Sequence, residues 1–252
     1  MLTNWISDGE KFTLKQSDLM KIRDQFDPAL RKNIKKKNQV AVIPIGSIEQ
    51  HGAHLPISTD TDIVTEVAVC LCKKQNFLLL PTICYGVSFE HFPFFNLSIR
   101  SSTLVQILED LCLSLSKNHI KKIIILNGHY GNLKALKRFE AKIGKKMVKT
   151  KISVISYWHY IKEDFDHAGH VETSLMLAIS KNIKMKKAKK GLITNRLSKK
   201  QLSKLNNIAA KSFPQATKNG IWGNPIHASA KKGRKILKEV VDNLIKESNL
   251  AH

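Results

Sequence analysis

The run Ile123-Ile124-Ile125-Leu126-Asn127-Gly128-His129-Tyr130-Gly131-Asn132 passes from four consecutive apolar residues into a loop in which two glycines flank a histidine. A short, unalternating apolar run fits a strand covered on both faces, as in a parallel sheet packed between helices. Similar runs occur at residues 40–45, 77–81 and 152–156. Between them, apolar residues recur at helical spacing over residues 62–74 (Ile63, Val67, Val69, Leu71), 103–117 (leucines at 104, 108, 111 and 115) and 133–146 (Leu136, Phe139). Strands alternating with helices predict parallel βαβ units and an α/β fold. Further helices are expected over residues 171–180, 198–212 and 227–246. In such a sheet ligands bind beyond the carboxyl ends of the strands, which directs attention to the loops beginning at Gly46, Cys84 and Asn127 and to segment 157–172.

The 252 residues suffice for one continuous core, and a single domain spanning 1–252 is expected. Hydrophobic residues make up 42% and charged residues 25%, close to average globular usage. No apolar run reaches the roughly 18 residues of a membrane span, and the first residues lack the order of a signal peptide, so a cytoplasmic protein is expected. Cys70, Cys72, Cys84 and Cys112 sit in apolar segments without Cys-x-x-Cys spacing and read as reduced core thiols. Forty-two basic against 20 acidic residues give a net charge of +22, enough to attract polyanions. The lysines are scattered in short runs such as Lys35-Lys36-Lys37 and Lys186-Lys187, away from aromatic stacking residues, which argues against a nucleic-acid partner.

Three segments carry the chemistry. Gly46-Ser47-Ile48-Glu49-Gln50-His51-Gly52-Ala53-His54-Leu55-Pro56 sets a carboxylate and an imidazole two residues apart, and in extended backbone both project the same way. Asp60 follows beyond a Leu-Pro turn, just before a helix, where its two oxygens can bridge two cations. Mixed imidazole and carboxylate ligands suit zinc, manganese or iron better than calcium. His129 stands directly after a strand, where the sheet rule places a site. Asp166-His167-Ala168-Gly169-His170-Val171-Glu172-Thr173-Ser174 offers two further histidines as ligands or bases, and Glu172 as a functional carboxylate or a helix-start residue.

In this order and spacing, the Gly-Ser-Ile-Glu-Gln-His-Gly run, the Asn-Gly-His-Tyr-Gly-Asn run and the His-Ala-Gly-x-x-Glu-Thr-Ser run resemble the creatininase family of metal-dependent amidohydrolases. The resemblance extends from about Val40 to Gly220-Ile221-Trp222-Gly223-Asn224-Pro225 and Ala228-Ser229-Ala230-Lys231-Lys232-Gly233. It implies a three-layer α/β/α sandwich with a mostly parallel central sheet, two divalent metal ions (zinc, manganese or iron), and a homo-oligomer, often a hexamer. It also implies that Glu49, Asp60 and His129 hold one metal and that His51 and Asp60 hold the second. Creatininase carries a glutamate where Gly131 stands, and many relatives with glycine there carry one where His170 stands; this chain has neither. His170 becomes the expected replacement ligand, with Glu172 as its competitor. His167 matches the family's proton-transfer histidine and Glu172 the acidic residue that orients it. His91, Tyr130 and Trp158 are expected to contact substrate, and aromatics including Phe92, Phe94, Phe95 and Tyr157 to wall a flat heterocycle.

The implied activity is hydrolysis of a C–N amide bond, in a cyclic amide or formamide of a small nitrogen-rich molecule. Creatinine, the formylamino-pyrimidine phosphate of riboflavin and deazaflavin synthesis, and a modified peptide compete as substrates. An inert metal- or ligand-binding relative is the rival of another class.

Overall fold

The computed structural model describes residues 19–37, 39–144, 146–147 and 149–250. Its centre is a four-stranded, wholly parallel sheet in the order β2-β1-β3-β4, formed by Val40–Ile45 (β1), Leu78–Leu79 (β2), Lys122–Asn127 (β3) and Lys151–Ser156 (β4). β1 and β3 pair along their whole length, from Val40 opposite Lys122 to Ile45 opposite Asn127, so both strands end level and deliver their following loops to the same rim. Successive side chains alternate between faces. Val40, Val42, Ile124 and Leu126 enter one apolar core, whereas Ala41, Ile43, Ile123 and Ile125 enter the other.

Helices cover both faces. On the first lie Thr59–Gln75 (α2), His170–Ile179 (α5) and Ala230–Leu250 (α8), with Ile63, Val67, Leu175, Val240 and Leu244 buried in the core on that side. On the second lie Ala29–Lys37 (α1), Ser101–Lys117 (α3) and Leu133–Ile143 (α4), with Ile34, Leu104, Leu108, Leu136 and Phe139 buried. Each fully buried aliphatic side chain of this kind contributes about 1.5–3 kcal/mol, so the two cores hold the sheet rim as a rigid platform. The parallel α/β fold expected from the strand–helix alternation, and the three-layer α/β/α sandwich that the family resemblance implies, are the ones observed. Among the described residues, no helix is long and apolar enough to cross a membrane.

Local chemistry explains most boundaries. α2 stops at Asn76, which takes the left-handed conformation (φ 53°) that asparagine tolerates. Lys199–Ala209 (α6) starts at a capping box in which Ser198 and Gln201 bond reciprocally, and Phe213–Thr217 (α7) has proline in its first turn. The second strand is shorter than residues 77–81 suggest: only Leu78 and Leu79 pair with β1, and Pro81, which lacks an amide proton, is exposed at the edge. α1 was not expected, because its lysine-rich sequence shows a weak apolar stripe that seats on the second core through Leu30 and Ile34. The four cysteines are free; Cys72 and Cys112 are buried, and burial raises both thiols.

Candidate metal centre

The loop after β1 turns back over the sheet rim and is fixed there by the backbone. Glu49 N donates to Ile57 O at 2.9 Å, and Glu49 pairs with Asn96 in an isolated antiparallel bridge. His51 Nδ1 lies 3.1 Å from Glu49 O, which leaves Nε2 facing Asp60 Oδ1 at 3.1 Å. Asp60 occupies the first turn of α2, where the helix dipole favours a negative charge. From the end of β3, Asn127 Oδ1 accepts His129 N at 3.1 Å and keeps the histidine extended. His129 Nδ1 then meets Asp60 Oδ2 at 2.9 Å, while Nε2 lies 3.3 Å from Glu49 Oε2 and 2.9 Å from Val87 O.

The other side of the cluster comes from α5. Asp166 caps that helix by accepting Val171 N at 2.9 Å and Glu172 N at 3.2 Å. Ala168, in the left-handed region at φ 52°, donates its amide to Glu172 Oε2 at 2.7 Å. The same Oε2 stands 3.5 Å from His51 Nε2. His170 is not brought to the cluster: it is half-buried at the first position of α5 and belongs to none of the metal-competent groups among the described residues. The cause is helical geometry, since two residues are about 200° of rotation apart and cannot share a face. Of the two candidates, Glu172 is the one that stands with His51 and Asp60 in the cluster.

His167 does not touch Glu172 as expected. Its ring sits 4.1 Å from that of His51, with Nδ1 3.9 Å from Glu49 Oε1 and Nε2 3.1 Å from both the backbone oxygen and the side-chain nitrogen of Gln50. His91 is buried behind Glu49, with Nε2 3.1 Å from Oε1, so it buttresses that carboxylate instead of facing an open cavity. Tyr130 is 65% exposed at the rim, whereas Trp158 is buried and stacked on Phe165 at 4.8 Å. Tyr157 is wholly buried and Phe92 and Phe95 point into solvent, so these aromatics do not assemble the expected wall.

Three groups of donors converge, each with ligand atoms within 4.8 Å of one another: Glu49, Asp60 and His129; His51, Asp60 and Glu172; and Glu49, His51 and His167. Two donors each about 2.0–2.2 Å from a tetrahedral cation lie roughly 3.3 Å apart, close to the spacings seen here. Glu49 Oε1 and Asp60 Oδ2 are fully buried acceptors that meet imidazole nitrogens, His91 Nε2 at 3.1 Å and His129 Nδ1 at 2.9 Å, a setting that suits a cation. The electrostatics agree. Burial pushes the Glu49 carboxyl up to about 8 against the pull of His129. Burial alone would lower His51 and His129, but Asp60 with Glu172 and Glu49 in the first case, and Glu49 with Asp60 in the second, hold each at about 10. Burial and the neighbouring His51 and His91 instead push His167 well below its usual range, which favours its neutral form.

Gly131 packs beside the cluster, against His129. A Cβ there would collide with Val87 O and His129 Nε2 and come within 2.8 Å of Glu90 Oε1. No side chain fits at that position with the backbone as it stands.

The sequence matches the creatininase family, described as creatinine amidohydrolase, over residues 27–247. The chain belongs to the creatininase family. It is 31% identical over 222 residues to the mycofactocin precursor peptide peptidase of Mycobacterium ulcerans, covering 81% of this chain and 82% of that protein. It is 26% identical over 221 residues to the 2-amino-5-formylamino-6-ribosylaminopyrimidin-4(3H)-one 5'-monophosphate deformylase of Methanocaldococcus infernus, covering 84% and 91%. A zinc–zinc form of a creatininase variant superposes with a TM-score of 0.78 at 21% identity, covering 91% of this chain and 96% of that one. The fold is therefore that of creatininase.

Gln50, Gly220 and Phe213 also reach the site and were not anticipated. Gln50 stands between two expected ligands in sequence, and that position was its only signal.

Proposed function

We propose that this chain is a metal-dependent amidohydrolase that holds two divalent cations and cleaves the C–N bond of an amide. Asp60 carries the reading: its two oxygens meet different imidazoles, His51 at 3.1 Å and His129 at 2.9 Å, as a carboxylate shared between two cations would. In this reading Glu49, Asp60 and His129 hold one cation and His51, Asp60 and Glu172 the other; zinc, manganese and iron all suit such donors. Two bound cations would lower the pKa of a water between them and polarise the amide carbonyl.

The chain's own groups supply the rest. His167, neutral and beside the cluster, accepts a proton as the water oxygen bonds to the carbonyl carbon and gives it to the departing nitrogen as the C–N bond breaks. Its two neighbours, Gln50 and Glu49, fix where that ring can sit. A homo-oligomer working in the cytoplasm belongs to the same reading.

A peptide amide is the favoured substrate. The peptidase relative is 31% identical over four fifths of both chains, against 26% for the deformylase relative, and the buried Trp158 is withdrawn from the flat-heterocycle wall that a creatinine-like ring would need. The test is a panel of short peptides, cyclic amides including creatinine, and formamides, presented to zinc- or manganese-loaded protein with products resolved by mass spectrometry. Cleavage of a peptide amide that disappears in His129→Ala with the fold retained is expected. Protein that binds two metals per chain and hydrolyses no member of any class would sink the proposal.

A further inference from the structure

We propose that the basic groove between α6 and α7 is a docking surface for an acidic segment of the peptide substrate, held there while the amide is presented to the metal centre. This rests on the amidohydrolase reading for its catalytic consequence, but docking itself can be measured without turnover.

The charge of the chain is unevenly placed. Residues 173–238 hold 17 of the 42 basic residues and none of the 20 acidic ones. The same span closes over the site from one side. Phe213 of α7 stacks on His91 at 4.6 Å and meets His167 edge-on at 4.7 Å, and His167 N donates to Trp222 O at 3.0 Å. A substrate that reaches the cluster past this wall meets positive charge with no carboxylate on the same stretch of chain to offset it.

On α6 that charge is organised. Counted from Lys200, the residues Ser203, Lys204, Asn207 and Ile208 follow at steps of three, four, seven and eight, which is one face of a helix. Lys211 and Gln215 close this face at the α7 end, and the side chains line a groove of about 400 Å³. The three lysines are exposed, and among the described residues none of them has an ion-pair partner. Ser203, Asn207 and Gln215 likewise make no side-chain hydrogen bond among the described residues. The groove thus offers three cations, amide and hydroxyl donors and one half-buried apolar contact, Ile208, with no aromatic ring on which a base could stack. Such a set suits the carboxylates of an extended peptide better than a nucleic acid.

Position sets the register. Phe213 and Gln215 stand two residues apart on α7, about 200° of rotation, so one faces the histidines and the other the groove. A helix is roughly 10 Å across, the reach of about three extended residues. The acidic residues of the substrate should therefore lie about three or four positions from the cleaved amide.

The test uses zinc-loaded full-length protein and two fluorescein-labelled peptides that differ only in glutamates replaced by glutamines. Anisotropy at low salt should show the glutamate peptide bound about tenfold more tightly, and high salt should erase most of that preference. Lys200→Gln/Lys204→Gln/Lys211→Gln should weaken binding of the glutamate peptide about tenfold. Lys32→Gln/Lys35→Gln/Lys137→Gln, which makes the same change in net charge on α1 and α4, should cost less than about twofold. All six lysines are exposed, so circular dichroism should not change. On a cleaved peptide, glutamates three or four positions from the amide should lower KM about tenfold in wild type and not in the groove variant, with kcat within about twofold. Equal binding of the two peptides, equal losses in the two triple variants, or a single-stranded oligonucleotide of matching charge that binds more tightly and depends on the same three lysines would overturn the proposal. If wild type hydrolyses nothing, the amidohydrolase reading fails while the anisotropy still decides what the groove holds.

Discussion

The two halves of the cluster are built differently. Glu49, Asp60 and His129 come from loops or a helix start directly after β1 and β3, strands that pair from end to end and finish level. His51 shares that origin, but its partner Glu172 arrives from α5, whose first turn is set by the Asp166 cap and the left-handed Ala168. One half is fixed by the sheet itself; the other depends on how a separate helix is seated. A difference of two residues along α5 decides which side chain completes it.

That contrast sets the expected effects. His129→Ala removes a proposed ligand from the sheet-borne half and should cost at least about a hundredfold in kcat/KM, given that loss of a mere supporting residue costs 10–100-fold. Metal analysis should show the loss, with circular dichroism unchanged. Glu172→Gln should lower metal content toward one equivalent and activity about 10–100-fold, and two tightly held equivalents in that variant would break the comparison.

The metal-free cluster should also be sensitive to pH. His51 and His129, each held at about 10 against 6.5, stabilise the fold fully below 6.5 and lose that contribution as pH rises through about 10. Glu49, raised from 4.5 to about 8, loses its contribution over that interval in the same direction. Chelator-treated protein should therefore melt lower at pH 9 than at pH 7, while metal affinity, read by calorimetry, tightens as the ligands shed protons. At the small end, Tyr130→Ala at the exposed rim should change KM a few-fold without moving the melting temperature. His170→Ala should alter kcat/KM less than about twofold, within the range of substitutions away from a site.

The strands and their loops were legible because unalternating apolar runs such as 123–126 leave few alternatives, and a parallel sheet puts its post-strand residues at one rim. Glu49, His51, Asp60 and His129 converge for that reason. Glu172 could not be chosen over His170 from sequence, since the rotation of α5 depends on contacts between Asp166 and the helix amides. Trp158 read as a substrate contact because it follows a strand, yet its indole stacks inward on Phe165. The parts played by Gln50 and Phe213 required a tertiary contact across 117 and more positions of chain, which no local pattern encodes.

The closed space around Gly131 has a consequence for how relatives diverge. Placing an acidic residue there would require the segment bearing Val87 and Glu90 to be rerouted in the same event, because the present backbone blocks even a methyl group. Single substitutions therefore cannot walk this chain toward the creatininase pattern of ligands, and any attempt to graft that pattern should exchange both loops together.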